Sequence, residues 1–244
     1  MRRFALTVLL LSIGPTVRAE DVNQTFGLYV SGLKAGSIQI KGHLSGTMEQ
    51  GQYALEGALS PTSVMRHFHD VGYSGVVQGQ MRDGQIHPAT YHSHTRTESR
   101  ENEVKLQFTD ASPDAAPVVE MYAPSREHRD YDIDPAAQNG VLDPLSAAHL
   151  VFRDQALGDL CNKVIDVFDG RRRTRLTLDA PVETGQNTIC TGAYSRIAGF
   201  SPEDMQEQVN FPFTLVYTKG DADTYILSSF TTETSFGSAE AARK

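Results

Sequence analysis

Tryptophan is missing from the chain, cysteine occurs only twice, and no segment is apolar over the roughly 20 residues that a membrane-spanning helix needs. Each absence closes a class of function. Without Trp, and with aromatics at 8% of residues, there is no sign of the stacking platform that binds sugars. Two cysteines, Cys161 and Cys190, form no C-x-x-C motif, which removes the usual thiol redox pair and a cysteine-based metal centre. Basic residues are also short: 22 Lys and Arg stand against 30 Asp and Glu, a formal net charge of −8. Such a chain repels nucleic acid and anionic lipid head groups at long range, so no nucleic-acid partner is expected.

Catalytic signatures are equally scarce. Gly72-Tyr73-Ser74-Gly75 is not the G-x-S-x-G of a nucleophile elbow. Ser31-Gly32-Leu33-Lys34 fits S-x-x-K but lies in a hairpin bend without the companion motifs. No H-E-x-x-H occurs. Asp130, Asp132 and Asp134 have the spacing that opens a calcium loop, yet Pro135 replaces its glycine and Val141 its closing glutamate. No catalytic residue, cofactor or metal ligand set is therefore assigned, and the chain reads as a non-enzyme. One alternative stays open. His67 with His69, and His92 with His94, are spaced so that each pair points to one side of a strand. Two converging pairs would make a metal-binding protein or a metal-dependent enzyme.

What is present begins at the N-terminus, "MRRFALTVLLLSIGPTVRAED". Arg2 and Arg3 precede a short apolar run from Phe4 to Ile13, and Val17 and Ala19 occupy the −3 and −1 positions of a cleavage site. That is the plan of a secretory signal peptide cleaved after Ala19, leaving residues 20–244 as a single domain. Loss of residues 1–19 removes three arginines and no acid, moving the charge from −8 to about −11. In an oxidising compartment the two cysteines read as one structural disulfide, Cys161–Cys190.

The mature region reads as strands with apolar and polar residues alternating. "TFGLYVSG" and "SIQIKGHL" flank "LKAG" as a first hairpin. "QYALEGAL" sets Tyr53, Leu55 and Gly57 against Ala54, Glu56 and Ala58. Arg82-Asp83-Gly84 makes a second turn, and Gly220 to Asp223 closes a long terminal hairpin. One clear helix is predicted over 143–155, with Asp143 as N-cap, Pro144 at its first position, and Leu145, Ala148 and Phe152 along one face. A short helix over 201–208 starts at Ser201 with Asp204 completing the cap. "TSVMRHFHD" fits a short helix or an irregular strand. The fold class is all-β, mainly antiparallel: a sheet of about ten to twelve strands with these two helices.

Four arginines crowd after Asp169-Gly170 in "VIDVFDGRRRTRLTL". If Asp169-Gly170 is a two-residue loop, Phe168 faces Arg171, Asp166 faces Arg173 and Val164 faces Arg175. Ile165, Val167, Leu176 and Leu178 then form an apolar face, and Arg171, Arg173 and Arg175 a basic face with Asp166 among them. That face is either a solvated flank or an anion-binding patch, because Arg suits bidentate contacts. In a flat meander this hairpin would leave Cys161 and Cys190 about 10 Å apart, with one strand between them. A disulfide thus requires the sheet to curl, or Cys161 to lie in the loop before its strand.

"LYVSGLKAGSIQIKG", "DPLSAAHLVF", "CNKVIDVFDGRRR", "CTGAYSRIAGFSPED" and "FPFTLVY", in that order, resemble domain-of-unknown-function family 3108. The matching positions are Asp143, Pro144, Cys161, Asp169, Gly170, Arg171, Arg172, Cys190, Gly192, Tyr194, Gly199 and Phe200. The resemblance implies an exported, periplasmic envelope protein of Gram-negative bacteria, with a curved sheet shaped like a half-barrel or a spiral. By analogy, its partner would be a lipid or other apolar ligand, or an envelope protein held in the curve or at a strand edge.

Overall fold

The computed structural model describes residues 19–63, 65, 71–97, 99–109, 116–125, 128–221, 223–234 and 237–244. The expected signal peptide lies outside them, as do His67 and His69 and most of "TSVMRHFHD". A first meander runs through β1 (Ala19–Val30), β2 (Leu33–Gly46), β3 (Gln50–Pro61), β4 (Gly72–Arg82), β5 (Gln85–Thr97), β6 (Arg100–Gln107) and β7 (Val118–Ala123). Helix α1 (Pro144–Phe152) and the two-residue strand β8 (Gln155–Ala156) follow. A second meander comprises β9 (Lys163–Phe168), β10 (Arg173–Leu178), β11 (Val182–Thr184), β12 (Asn187–Ala198), β13 (Asn210–Lys219), β14 (Thr224–Thr234) and β15 (Gly237–Arg243). Helix α2 (Pro202–Glu207) sits between β12 and β13.

The chain's two ends weld these meanders together. β1 pairs with β15, Phe26 opposite Arg243, so the sheet order is β7-β6-β5-β4-β3-β2-β1-β15-β14-β13-β12-β10-β9. The short strands β11 and β8 pair off this path, with β12 and β14. The sheet is antiparallel, curled and open, with β7 and β9 as its edges. The all-β class stands, but the fifteen strands exceed the ten to twelve expected. The excess has a physical cause: pieces as short as β8 and β11 carry no readable alternation.

Alternation does decide which side chains face the core. In β3, Tyr53, Leu55 and Gly57 are buried while Glu56 is exposed. Curling produces two apolar clusters, one built on β1–β6 and one on β9–β15. Phe168, from the end of β9, is fully buried in the first of these, so the far edge of the sheet comes round to the near one.

Helix α1 lies inside the curl. Asp143 caps it, its Oδ1 accepting from the N–H of Leu145 at 2.9 Å and of Ser146 at 3.0 Å. Burial is not confined to the expected stripe: Leu145, Ser146, Ala147, His149 and Val151 are all buried, because sheet surrounds the helix on several sides. Gly57 of β3 makes the close approach possible, since a Cβ there would sit 2.6 Å from Leu145 Cδ1. The helix stops at Phe152 and not at 155, because Gln155 pairs with Tyr225 in the sheet. Helix α2 matches its prediction closely, with Ser201 and Asp204 forming a capping box. Among the described residues no helix is long and apolar enough to cross a membrane.

Two hairpins differ from expectation. The first turns at Ser31-Gly32, both with positive φ, so "LKAG" belongs to β2. The β9–β10 loop has four residues, not two: Arg173 pairs with Phe168, Arg175 with Asp166 and Thr177 with Val164. The Asp169 side chain explains the longer loop, because its Oδ1 accepts from the N–H groups of both Arg171 and Arg172. A slip of two residues preserves the faces, so Ile165, Val167 and Leu178 are still buried.

Candidate functional site

A groove of about 920 Å³ runs between α1 and the second meander. Helix α1 supplies Ala147, Ala148, Val151 and Phe152, and β9 and β10 supply Val167 and Leu176. The opposite wall is aromatic, with Tyr194, Phe211, Phe213 and Phe230 from β12, β13 and β14. The rings support one another: Phe213 and Phe230 are 5.3 Å apart between centroids, Phe152 and Phe230 6.2 Å, and Tyr194 and Phe211 5.8 Å. The wall is built by period-two alternation, since Phe211 and Phe213 in "FPFTLVY" point to one side of β13.

Polar groups mark the two ends of this space. Asp169 lies at the deep end, where burial raises its carboxyl above the usual range, opposed by the N–H groups of Arg171 and Arg172. Burial likewise pushes up the Tyr194 hydroxyl. Arg196, Glu207, Gln208 and Glu233 form the rim. Arg196 stacks on Phe211 at 4.9 Å and donates to the Gln208 carbonyl at 2.9 Å, so it is a wall bracket as much as a charge. The aromatic and aliphatic part of this lining is suited to holding an apolar chain or ring, and polar side chains line the rest.

The residues singled out from sequence go elsewhere. Cys161 and Cys190 form a disulfide-bonded pair with Cα atoms 5.5 Å apart. Cys161 reaches Cys190 from the loop before β9, where it and Asn162 have left-handed φ of 53° and 44°. The clustered arginines are engaged within the protein. Arg173 and Arg175 both hold Asp166, each with a contact of 2.6 Å, which keeps that carboxyl below its usual range. Arg171 donates to the Tyr122 hydroxyl at 3.0 Å and stacks on its ring, and Arg172 stacks on Phe200. His92 and His94 lie on the outer side of β5, facing Glu103 at 2.7 Å and Glu101 at 3.9 Å on β6. Among the described residues no group of three or more His, Cys, Asp or Glu is placed to hold a metal ion.

With that geometry in place, similarity to known proteins adds little. No protein-family model matches the chain, and no curated protein does. Among solved structures, it is similar to the crystal structure of a beta-barrel-like protein of domain of unknown function DUF1849 from Brucella abortus. That likeness covers 91% of this chain and 94% of the other at 10% identity, with a TM-score of 0.42. These comparisons do not support family 3108 specifically: no family model matches, and the structural neighbour carries a different domain-of-unknown-function designation.

The groove itself was not legible beforehand. Its walls come from α1 and five strands of distant sequence, and only the aromatic alternation of β13 gave a local signal.

Proposed function

We propose that the chain is an exported, periplasmic, non-catalytic protein of the cell envelope that binds an apolar or amphipathic ligand in the groove beneath α1. One observation carries the reading: an open groove of about 920 Å³ is walled by four aromatic rings and the apolar side of a helix. Contiguous accessible apolar surface on this scale is unusual on a folded protein and commonly marks a binding site. The signal-like N-terminus, the bridged cysteines and the resemblance to family 3108 support export. The role is supported by the groove's aromatic and aliphatic walls, which favour apolar surface.

The missing tryptophan makes a clean test. Phe211→Trp places a unique indole in the groove wall. Titration with decanoate or with a short-chain phospholipid below its micelle concentration is expected to shift the emission saturably to shorter wavelength. A linear, unsaturable response with both probes would remove the reading. Native mass spectrometry of protein drawn from the periplasm should in addition show a retained ligand.

A further inference from the structure

A second cleft, of about 740 Å³, opens between the β4–β5 hairpin and the first half of β9. It shares no lining residue with the groove and lies toward the other end of β9. Three cations line it: Arg82 on the hairpin, Arg153 at the C-cap of α1, and Lys163, the first residue of β9; the last two are partly desolvated. Neither of these two forms an ion pair among the described residues. Arg153 Nη1 reaches only the Met48 thioether, at 3.5 Å, and its Nε is buried without a hydrogen-bond partner. Lys163 Nζ donates to Gln155 Oε1 at 2.8 Å, a neutral acceptor.

Burial outweighs the nearby acids at both Arg153 and Lys163. Arg82 and His87 on the hairpin face the same cleft. Of the acids nearby, Asp166 is committed to Arg173 and Arg175, while Asp159 favours the charged forms of Arg153 and Lys163 and Glu20 that of Arg153, each without a direct ion pair among the described residues. His149 behind Arg153 is held neutral at ordinary pH, its pKa lowered to about 4 by burial and then by the Arg153 charge. Burial, and after it the charge of Arg153, lowers Lys163 to about 8, with Asp159 acting the other way. Partly desolvated cations that make no direct ion pair are stabilised when something anionic joins them. Ile86, Phe108 and Leu150 supply apolar wall beside them.

We propose that Arg153 and Lys163 form an oxyanion-binding site, taking a carboxylate or phosphate group in the cleft between the β4–β5 hairpin and β9. Arg153 grips the oxygens through its guanidinium and Lys163 adds a point charge. The apolar wall accommodates a chain attached to that group.

The test uses the whole mature chain, with its lysines carrying ¹³C-methyl labels and the Lys163 signal assigned by its loss in Lys163→Arg. Titrated by NMR without added oxyanions, Lys163 should change charge near pH 8. Saturating inorganic phosphate or decanoate should move that midpoint up by at least one pH unit, and Arg153→Met should weaken the response at least tenfold. A response to phosphate alone identifies a free anion as the source. A response to decanoate alone identifies an anionic amphiphile. A midpoint that neither probe moves in the wild-type chain overturns the proposal, and so does a shift that survives Arg153→Met in protein melting near the wild-type temperature. Phosphate has no apolar part to enter the groove, so this result stands apart from the groove titration.

Discussion

At the scale of single residues, Asp143 carries the sharpest consequence. Its Oδ1 caps α1, but its Oδ2 is buried with no hydrogen-bond partner. Burial raises its pKa to about 6 from 3.8, against the opposing hydrogen bonds of Ser146 and Leu145. The folded state therefore keeps a proton that the unfolded chain gives up between about pH 4 and 6. Stability from this group is full below that window and is lost as pH rises through it, by about 3 kcal/mol. His149 works in the opposite sense: its pKa falls to about 4 from 6.5, so its contribution grows with pH over a similar range. Asn caps a helix as well as Asp. Asp143→Asn should accordingly gain about 3 kcal/mol over the wild type between pH 4 and pH 7. Urea melts across that range provide the measurement, and a wild-type-to-variant gap constant with pH would contradict the account. The cap was readable in "LDPLS", but its buried, under-satisfied oxygen was not, since burial comes from β3, β4 and the tyrosines around them.

At the scale of elements, the Cys161–Cys190 bridge and the β9–β10 hairpin form one unit. The bridge spans 29 residues of sequence and encloses the hairpin. Reduction frees a loop of that length in the unfolded chain, which corresponds to about 3–4 kcal/mol in the chain-entropy model. Dithiothreitol, or the Cys161→Ser Cys190→Ser variant, should lower the urea midpoint by a matching amount. An unchanged midpoint would mean that the second meander holds its geometry without the bridge. A flat-sheet estimate had left the sulfurs out of reach, and the loop position of Cys161 resolves this by folding the chain back across the end of β10. The hairpin's faces were legible from alternation alone. Its loop length was not, because "DG" favours a two-residue turn and only the paired bonds from Arg171 and Arg172 to Asp169 reveal the wider one.

At the scale of the molecule, the decisive contact joins two edges that share no strand pairing. Gly170 lies so close to β6 that a Cβ would sit 2.6 Å from Val104 Cγ1, while Arg171 stacks 5.2 Å above the Tyr122 ring of β7. Leu142 also covers part of the β9 edge, bonding with Asp166 and Phe168. An uncovered edge invites pairing with other chains, and these contacts blunt it. Tyr122→Phe keeps the ring packed on the core and removes the hydrogen bond from Arg171, about 1 kcal/mol. Hydrogen exchange in β7 and β9 should then quicken about fivefold while β12 to β14 keep their rates. A uniform rise over the whole sheet would show that the tip contact is not a local clasp.

Strand content, inward and outward faces, helix caps and most turns were determined by the sequence itself, because each depends on residues within a few positions of one another: a period of two, a cap oxygen near an N–H, a glycine where φ is positive. The groove under α1, the unpaired cations Arg153 and Lys163, and the clasp between β7 and the β9–β10 tip were decided by tertiary structure alone. Each brings together segments far apart in the chain, and whether a side chain there is buried or finds a partner depends on how the sheet curls.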